Sequence, residues 1–307
     1  MKKLTLVVLF MVSCLFLGAC AQEGQSTSNK QVKVMTTFYP MYAFTKAIVG
    51  DNGTVDLLIP AGTEAHDYEP SARDLAKISE AGMMVYNSNH FETWIKDVKK
   101  NMKDSQTTFV QASQGIQLLT SQEEENLADG HEHDSVDPHV WLDPVLAQKE
   151  VTTIRDALIK KYPKYQKAFT QNAANYLAKL AKLNERYQTA TSQAKNKTFV
   201  TQHAAFGYLA HQYGLNQVAI AGLSPDEEPS PSRLASLKTF VDENQVKVIY
   251  FEENASSKVA QTLAKETGVK LAVLNPLEGL TKKQMQAGED YLSVMEDNLQ
   301  ALKESIQ

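Results

Sequence analysis

The chain has 307 residues, of which 43% are hydrophobic and 22% charged, and its formal net charge is −5. These values are typical of a globular protein with a hydrophobic core, long enough for two ordinary domains or one large one. A mildly acidic chain is a poor partner for nucleic acid, because phosphate binding needs a concentrated basic surface.

The N-terminus is typical of a secretory signal. Lys2 and Lys3 precede the apolar run LTLVVLFMVSCLFLG, which ends at Ala19-Cys20. The run is short for a bilayer core of about 30 Å, and a polar stretch follows it at once. We therefore predict a signal peptide over residues 1–19. The alternative is a membrane-spanning helix that remains in place.

The segment LGAC at the end of this run resembles the lipobox of bacterial lipoproteins. The resemblance implies that the chain is cut before Cys20, that Cys20 carries lipid, and that the protein is anchored to the outer face of the cell membrane. Cys14 would leave with the signal, so no thiol would remain for a disulfide or a cysteine metal site. Residues 20–31, rich in Ser, Gln and Asn, are predicted to form a flexible lipidated tether.

Strand-like and helical segments alternate along the first half of the chain. They are the strand VKVMTTF, a helix from about Pro40 to Val49, the strand TVDLLI ending at Pro60-Ala61-Gly62, the helix SARDLAKISEA, the strand MMVYN and the helix HFETWIKDVKK. Ser71 is expected to cap its helix with Asp74 as the capping-box acid. The alternation predicts a parallel α/β architecture.

The second half repeats the scheme. Its elements are KTFVTQHAAFGYLAHQYG, running from strand to helix, the strand QVAIAG, the helix EPSPSRLASLKTFVDEN, the strand VKVIYF, the helix KVAQTLAKETG, the strand VKLAVLNPL and a terminal helix from about Lys282 onward. The two halves also share a short sequence motif at corresponding positions, since Glu69-Pro70-Ser71 before a helix parallels Glu228-Pro229-Ser230 before a helix. Any two strand–helix units look somewhat alike, so chance is the alternative. We expect two similar α/β lobes that face one another.

Between the halves, from Pro144 to about Ala194, the sequence carries no strand signal. A first helical stretch runs up to Pro163, which interrupts it. The next stretch has no breaker for about thirty residues and would span roughly 45 Å as a rigid helix that limits hinge motion. The predicted parts are an N-terminal lobe over 32–163, a linking helix over 164–194 and a C-terminal lobe over 195–307.

Three of the seven histidines follow strand-like segments: His66 in PAGTEAHDYEPS, His139 in SVDPHVWLDP and His203 in FVTQHAAFGY. Loops at the carboxyl ends of parallel strands are where α/β folds build ligand sites, so these side chains would converge in the cleft between the lobes. A single histidine is more often structural than a ligand, and His203 could belong only to a helix cap. Three at equivalent positions indicate a metal site, since imidazole suits Zn²⁺ and Cu²⁺.

Two Asp-Pro pairs frame His139. Asp137-Pro138 and Asp143-Pro144 restrict the backbone on either side of it. We expect Asp143 to cap the helix that follows, with Pro144 in its first turn. The frame would present His139 to a metal at one angle.

A fourth ligand is expected after the last strand, where AVLNPLEGLT offers Glu278 between Pro276 and Gly279. A solvated loop acid is the alternative. Three imidazoles and one carboxylate suit tetrahedral Zn²⁺ with ligand distances of about 2.0–2.2 Å. Glu252 and Glu253 also follow a strand, and one of them would hydrogen-bond a ligand histidine.

His131 and His133 lie in the acidic stretch EEENLADGHEHDSVD. They would belong to a loop over the site that collects metal weakly, or to an exposed loop without a role. His90 and His211 fall in helical segments and are expected at the surface or in packing. The sequence contains no G-x-S-x-G, Walker or H-E-x-x-H motif, so no other chemistry is indicated.

These segments resemble a known family, the metal-binding lipoproteins of bacterial ABC transporters (cluster A-I, or cluster 9, solute-binding proteins). The likeness rests on TTFYP, AGTEAHDYEPS, DPHVWLDP, FVTQHAAFGYLA, YFEENASS and LNPLEGL, and is strongest to the zinc-binding branch, which includes laminin-binding adhesins. The resemblance implies His66, His139, His203 and Glu278 as zinc ligands. The manganese branch has a glutamate where this chain has His203, and usually an aspartate at the last position.

The resemblance further implies a binding protein that captures extracellular Zn²⁺ and delivers it to a membrane ABC permease. We expect the protein to be a monomer. Two other functions stay open. The protein could be an adhesin that binds host laminin, alone or in addition. Less in keeping with the residues, it could be a zinc hydrolase in which Glu278 acts as a general base.

Overall fold

Four parallel strands form the sheet of the N-terminal lobe, in the spatial order β2-β1-β3-β4. Their bounds are β1 Val32–Thr36, β2 Gly53–Leu57, β3 Met83–Tyr86 and β4 Thr108–Gln111, and the helices between them are α1 Tyr39–Val49, α2 Ala72–Glu80 and α3 Ile95–Asn101. In β3, Met83 and Val85 belong to one hydrophobic cluster, while Met84 and Tyr86 belong to another. Both faces of the sheet are therefore buried, which explains the continuous apolar run MMVY.

The computed structural model describes residues 32–121, 135–227 and 229–307. The predicted signal peptide, the tether with Cys20, and the loop histidines His131 and His133 lie outside these ranges. Within them, no helix combines the length and the apolar character needed to span a bilayer.

Helix α2 begins where the sequence predicts it, whereas α3 begins later than predicted. The predicted capping box is confirmed, because Ser71 and Asp74 each accept a hydrogen bond from the other's backbone amide. The helix predicted from His90 begins only at Ile95, because the Ser88 hydroxyl accepts hydrogen bonds from the amides of His90 and Phe91 and holds a turn there.

An antiparallel strand pair and two long helices follow β4. In the pair, β5 Thr120–Ser121 lies beside β6 Ser135–Val136. The next helix, α4 Pro144–Lys161, begins at the predicted cap, since Asp143 Oδ1 accepts a hydrogen bond from the amide of Val145 at 2.7 Å. The predicted cap at Asp143 is therefore confirmed.

The long helix predicted between the lobes is present as α5 Gln166–Ser192, with 27 residues. It is a few residues shorter than predicted, because Pro163–Tyr165 form a separate 3₁₀ turn after α4. At 1.5 Å per residue it spans about 40 Å. It packs along α4 and also against α1, so it is part of the N-terminal lobe's packing as well as a link.

The C-terminal lobe repeats the first sheet. Its strands are β7 Thr198–Thr201, β8 Asn216–Ala219, β9 Val248–Phe251 and β10 Lys270–Val273, with the helices α6 Gly207–Tyr213, α7 Pro231–Glu243 and α8 Lys258–Thr267. The spatial order is β8-β7-β9-β10, and all pairs are parallel. In each lobe the first strand is central, the second lies at one edge, and the third and fourth extend the other side. The prediction of two similar parallel α/β lobes is confirmed.

The C-terminal segment forms two helices, so the prediction of a single one was wrong. The first, α9 Lys282–Ala287, ends at Gly288, whose φ of 78° is in the left-handed region that stops a helix. The second, α10 Tyr291–Ile306, begins at Asp290, whose carboxylate accepts a hydrogen bond from the amide of Ser293 at 2.8 Å. Gly288, which ends one helix, and Asp290, which begins the next, therefore outweigh the helical pattern of the residues around them.

One hydrophobic core continues from the first lobe into the second. It includes Phe44 of α1, Leu180 of α5, Phe199 of β7 and Tyr291 of α10, all essentially inaccessible to solvent. The ring of Tyr291 packs edge-on against Phe44, with 4.8 Å between centroids. Separating the lobes would expose this apolar surface to water, at a free-energy cost of about 25 cal/mol for each Å². A shared core therefore restricts the lobes more than a flexible linker would.

Glu150 of α4 is an ionisable residue inside this protein core. It is fully buried, and neither of its carboxylate oxygens has a hydrogen-bond partner within the described ranges. Burial and, secondly, the charge of Glu92 raise the pKa of Glu150 well above its usual value. Unfolded Glu loses its proton at about pH 4.3, so the folded state loses stability relative to the unfolded state as the pH rises above that value.

We expect Glu150→Gln to raise the free energy of unfolding at neutral pH, because the amide has no proton to lose. The gain over the parent should grow by up to about 1.4 kcal/mol per pH unit above the unfolded pKa. Denaturant unfolding of both proteins at several pH values between about 4.5 and 8 measures this. The low-pH samples are the control, and a difference that does not change with pH would contradict the prediction.

Candidate metal centre

Four potential ligand side chains meet in the cleft between the lobes. Donor atoms of His66, His139, His203 and Glu278 all lie within 4.8 Å of one another. His66 follows β2, His139 precedes α4, His203 follows β7 and Glu278 follows β10. The three that follow strands of the two sheets do so at carboxyl ends, where parallel sheets present ligand sites.

A single oxygen atom lies at the centre of the group. Oε1 of Glu278 is 3.2 Å from Nε2 of His66, 3.3 Å from Nε2 of His139 and 3.1 Å from Nε2 of His203. His139 and His203 are at most 1% exposed, whereas 12% of the His66 side chain is accessible. The four donors thus point at a common position, and His66 marks its solvent side.

Asp137 fixes the ring of His139. Its Oδ1 accepts hydrogen bonds from the backbone amide of His139 at 2.9 Å and from its Nδ1 at 2.8 Å. With Nδ1 engaged in this way, Nε2 is the nitrogen left to face the cleft. The backbone of Asp137 is held by the other lobe, because the Tyr208 hydroxyl donates to its carbonyl at 2.7 Å.

Of the two acids that follow β9, Glu252 contacts a histidine of the group. Its carboxylate lies against Nδ1 of His203, while Glu253 is exposed and accepts a hydrogen bond from Gln284 at 3.1 Å. The backbone carbonyl of His203 accepts hydrogen bonds from Thr201 Oγ1 at 2.7 Å and from Gln217 Nε2 at 3.0 Å. His203 is therefore held on both sides and is not a helix cap, since α6 begins at Gly207.

Glu278 lies on a loop that side-chain amides hold in place. Asn298 of α10 accepts a hydrogen bond from the amide of Asn275 at 2.8 Å and donates one to its carbonyl at 2.7 Å. Asn254 donates to the carbonyl of Gly279 at 2.8 Å. Sequence reasoning missed both residues, although a polar side chain on the apolar face of α10 is a signal that could have identified Asn298.

The N-terminal ligand loop has its own support. The carboxylate of Glu64 accepts hydrogen bonds from the amides of His66 at 2.9 Å and Asp67 at 3.1 Å, which closes the turn that carries His66. Phe91 then packs edge-on against the His66 ring at a centroid distance of 4.8 Å. An apolar wall on this side limits access of water to the donors.

The surroundings set the charge of the group. Burial by itself lowers the pKa of His203, but the charges of Glu252 and Glu278 outweigh it and raise that pKa to about 10. Burial also lowers the pKa of His139, but Asp137 and Glu278 outweigh it and raise that pKa above its usual value. Burial would raise the pKa of Glu278, but the neighbouring imidazoles, His66 and His203 first, lower it well below its usual value. Positive charge at this position is strongly favoured, whether it comes from protons or from a metal.

Three imidazole nitrogens and one carboxylate oxygen fit a tetrahedral Zn²⁺ ion, which is commonly bound by such ligands. With neutral imidazoles and an ionised carboxylate, the ion would retain a net charge of +1. The fold and this donor set define a class: a two-lobed α/β binding protein with a candidate metal centre in its cleft.

Comparison with known proteins identifies the family. Residues 34–305 match the zinc-uptake complex component A, periplasmic (ZnuA) family. The high-affinity zinc uptake system protein ZnuA of Bacillus subtilis is 50% identical over 308 residues, which cover 97% of each chain. The chain therefore belongs to the zinc-uptake complex component A family.

Solved structures show the same fold. The Zn(II)-bound ZnuA-like domain of Streptococcus pneumoniae AdcA is 50% identical, with a TM-score of 0.79 over 90% of this chain and 99% of that one. The laminin binding protein (Lmb) of Streptococcus agalactiae, described as a bifunctional protein with adhesin and metal transporting activity, is 36% identical, with a TM-score of 0.80 over 91% and 100%. The chain spans 61% of the length of the streptococcal zinc-binding AdcA proteins that it matches.

We expect Glu252→Gln to weaken zinc binding by about 10- to 100-fold, because a neutral amide accepts a weaker hydrogen bond from Nδ1 of His203 and does not raise the basicity of that ligand as the carboxylate does. Glu253→Gln, a neighbouring change of the same kind at an exposed position, is the matched control and should bind zinc like the parent. Competition with a chelator measures both affinities. Equal affinities of the two variants would contradict the role of Glu252.

Proposed function

We propose that this protein captures extracellular Zn²⁺ and delivers it to a membrane permease for uptake. His66, His139, His203 and Glu278 would bind the ion. The observation that carries the proposal is the convergence of three Nε2 atoms on one carboxylate oxygen in the cleft. Membership of a zinc-uptake family and the zinc-binding names of relatives that match 97% or more of the chain support the same function.

Binding, rather than catalysis, suits the donor set best. Catalytic zinc sites usually have three protein ligands and a water molecule in the fourth position. Here a fourth protein donor, Glu278, faces the three imidazoles and is itself buried. A hydrolase would need Glu278 to leave the metal and act as a base, although the loop around it is held by Asn254 and Asn298.

The location of the protein is part of the proposal. The charged start, the apolar run and LGAC support secretion, lipidation at Cys20 and anchoring at the outer face of the cell membrane. Residues 32–163, 164–194 and 195–307 would be the first lobe, the linking helix and the second lobe. His131 and His133 would collect metal near the cleft, and the anchored protein would act as a monomer.

Laminin binding is a second, compatible function. It is favoured by structural neighbours such as the laminin binding protein of Streptococcus agalactiae, which align along 91% of this chain. Three of the four proposed zinc ligands are buried and only 12% of the His66 side chain is accessible, so a contact of laminin with the protein surface would leave most of the donors covered.

We expect the chain from residue 21 onward to bind one Zn²⁺ ion tightly, in a form that Mn²⁺ does not displace, because imidazole donors favour zinc over manganese. His139→Ala should lose most of this affinity, whereas His211→Ala, at an exposed histidine of α6, should not. Calorimetry with a competing chelator measures the binding of Zn²⁺ and of Mn²⁺ to the parent, and of Zn²⁺ to each variant. Manganese binding as tight as zinc binding, or zinc binding unaffected by His139→Ala, would contradict the proposal.

We also expect the zinc affinity to keep rising with pH above neutrality. The raised pKa of His203, about 10, means that Zn²⁺ must displace a proton even at neutral pH. The sequence alone, with an ordinary histidine pKa of about 6.5, predicts loss of affinity only below about pH 6. Affinity should change by about tenfold per pH unit for each proton released. Chelator competition between about pH 6 and 9 tests this, and a flat profile above pH 7 would contradict it.

A further inference from the structure

A hydrogen bond across the lobes joins the two loops that carry His139 and Glu278. Trp141 lies two residues after His139, and its indole Nε1 donates to the carbonyl oxygen of Pro276 at 2.8 Å. Pro276 in turn lies two residues before Glu278. The spacing between one imidazole and the carboxylate therefore depends on a contact between their neighbours.

Trp141 is itself held firmly. It is fully buried, and its ring packs against Phe38 and Phe91 at centroid distances of 4.7 and 5.0 Å. Its backbone carbonyl accepts a hydrogen bond from the Tyr291 hydroxyl at 2.5 Å. The indole N–H thus projects from a fixed position toward the second loop.

The second loop contains a residue with a strained backbone. Leu277 has a φ of 58°, in the left-handed region that L side chains other than Asn and Asp rarely adopt. Its side chain is buried, and its amide donates to Asn275 Oδ1 at 2.7 Å. A strained residue directly before Glu278 persists only when the surrounding contacts over-determine it.

We propose that Trp141 is a positioning residue for the metal centre. Its indole N–H holds the strained loop, and with it the carboxylate of Glu278, at the distance from His139 that tetrahedral Zn²⁺ requires. This inference rests on the proposed zinc ligands and adds a residue that acts through them. Loss of the N–H should loosen the geometry of the centre while leaving all four ligands present.

The test is Trp141→Phe, which keeps an aromatic ring and removes the donor. Tyr187→Phe is the matched control, because the buried Tyr187 hydroxyl also donates to a backbone carbonyl, that of Met295, at 2.8 Å. Each variant loses one buried aromatic donor, but the Tyr187 hydroxyl bonds the backbone of helix α10 and not that of a loop that carries a ligand. Three quantities are compared with the parent: zinc affinity by chelator competition, the visible absorption of bound Co²⁺, which reports tetrahedral geometry, and the melting temperature.

We expect Trp141→Phe to lower zinc affinity by about tenfold or more and to weaken or shift the Co²⁺ bands. Tyr187→Phe should lower the melting temperature yet keep the parent's zinc affinity and Co²⁺ spectrum. Unchanged affinity and spectrum in Trp141→Phe would overturn the inference, as would losses of affinity that follow the melting temperature in both variants. A parent that binds no zinc would overturn the proposed function as well, whereas a zinc-binding parent with an unaffected Trp141→Phe overturns only the positioning role.

Discussion

The contact of one buried carboxylate oxygen with three imidazoles is the interaction on which the rest of the structure depends. Glu278 Oε1 lies 3.1–3.3 Å from the Nε2 atoms of His66, His139 and His203, which come from both lobes. Polar groups removed from water are costly unless they are paired. The group is therefore stable only when a positive charge balances the carboxylates. Protons can supply that charge, and so can a divalent cation, which makes proton release part of metal binding.

Holding donors from two lobes at one point requires lobes that do not move freely. The continuous hydrophobic core, with Tyr291 of α10 packed against Phe44 of α1, provides this constraint. The long helix α5 adds a second connection that packs along the first lobe. A framework of this kind restricts the ligands before an ion arrives, so less conformational entropy is lost on binding.

The residues around the donors divide the task of orientation. Asp137 and Glu252 each engage the Nδ1 atom of an imidazole, which leaves Nε2 to face the cleft. The ring of His66 has no such carboxylate at its Nδ1 among the described residues, because Glu64 binds the backbone of its turn and not the ring. Together with its 12% exposure, this makes His66 the least enclosed of the four side chains. Glu278 depends on a loop held by amides and by the indole of Trp141.

The sequence by itself determined those features whose physical causes are local. The alternation of strands and helices, the capping box of Ser71 and the cap at Asp143 follow from hydrogen bonds and patterns within a few residues. The histidines after strands could be singled out because the topology of parallel sheets sends such loops to the same edge. The sequence could not separate Glu252 from Glu253, since neighbouring acids differ only in the direction that the strand end gives them.

Only the tertiary structure decided the contacts that join distant segments. The bond from Trp141 to Pro276, the support of the Glu278 loop by Asn298, and the raised pKa of His203 all arise from groups far apart in the chain. The position of β4 at a sheet edge was also decided by the tertiary structure, because its four residues range from exposed to buried and carry little pattern of their own. Local propensity is a property of a segment, whereas the geometry and charge of a buried site depend on which segments the fold brings together.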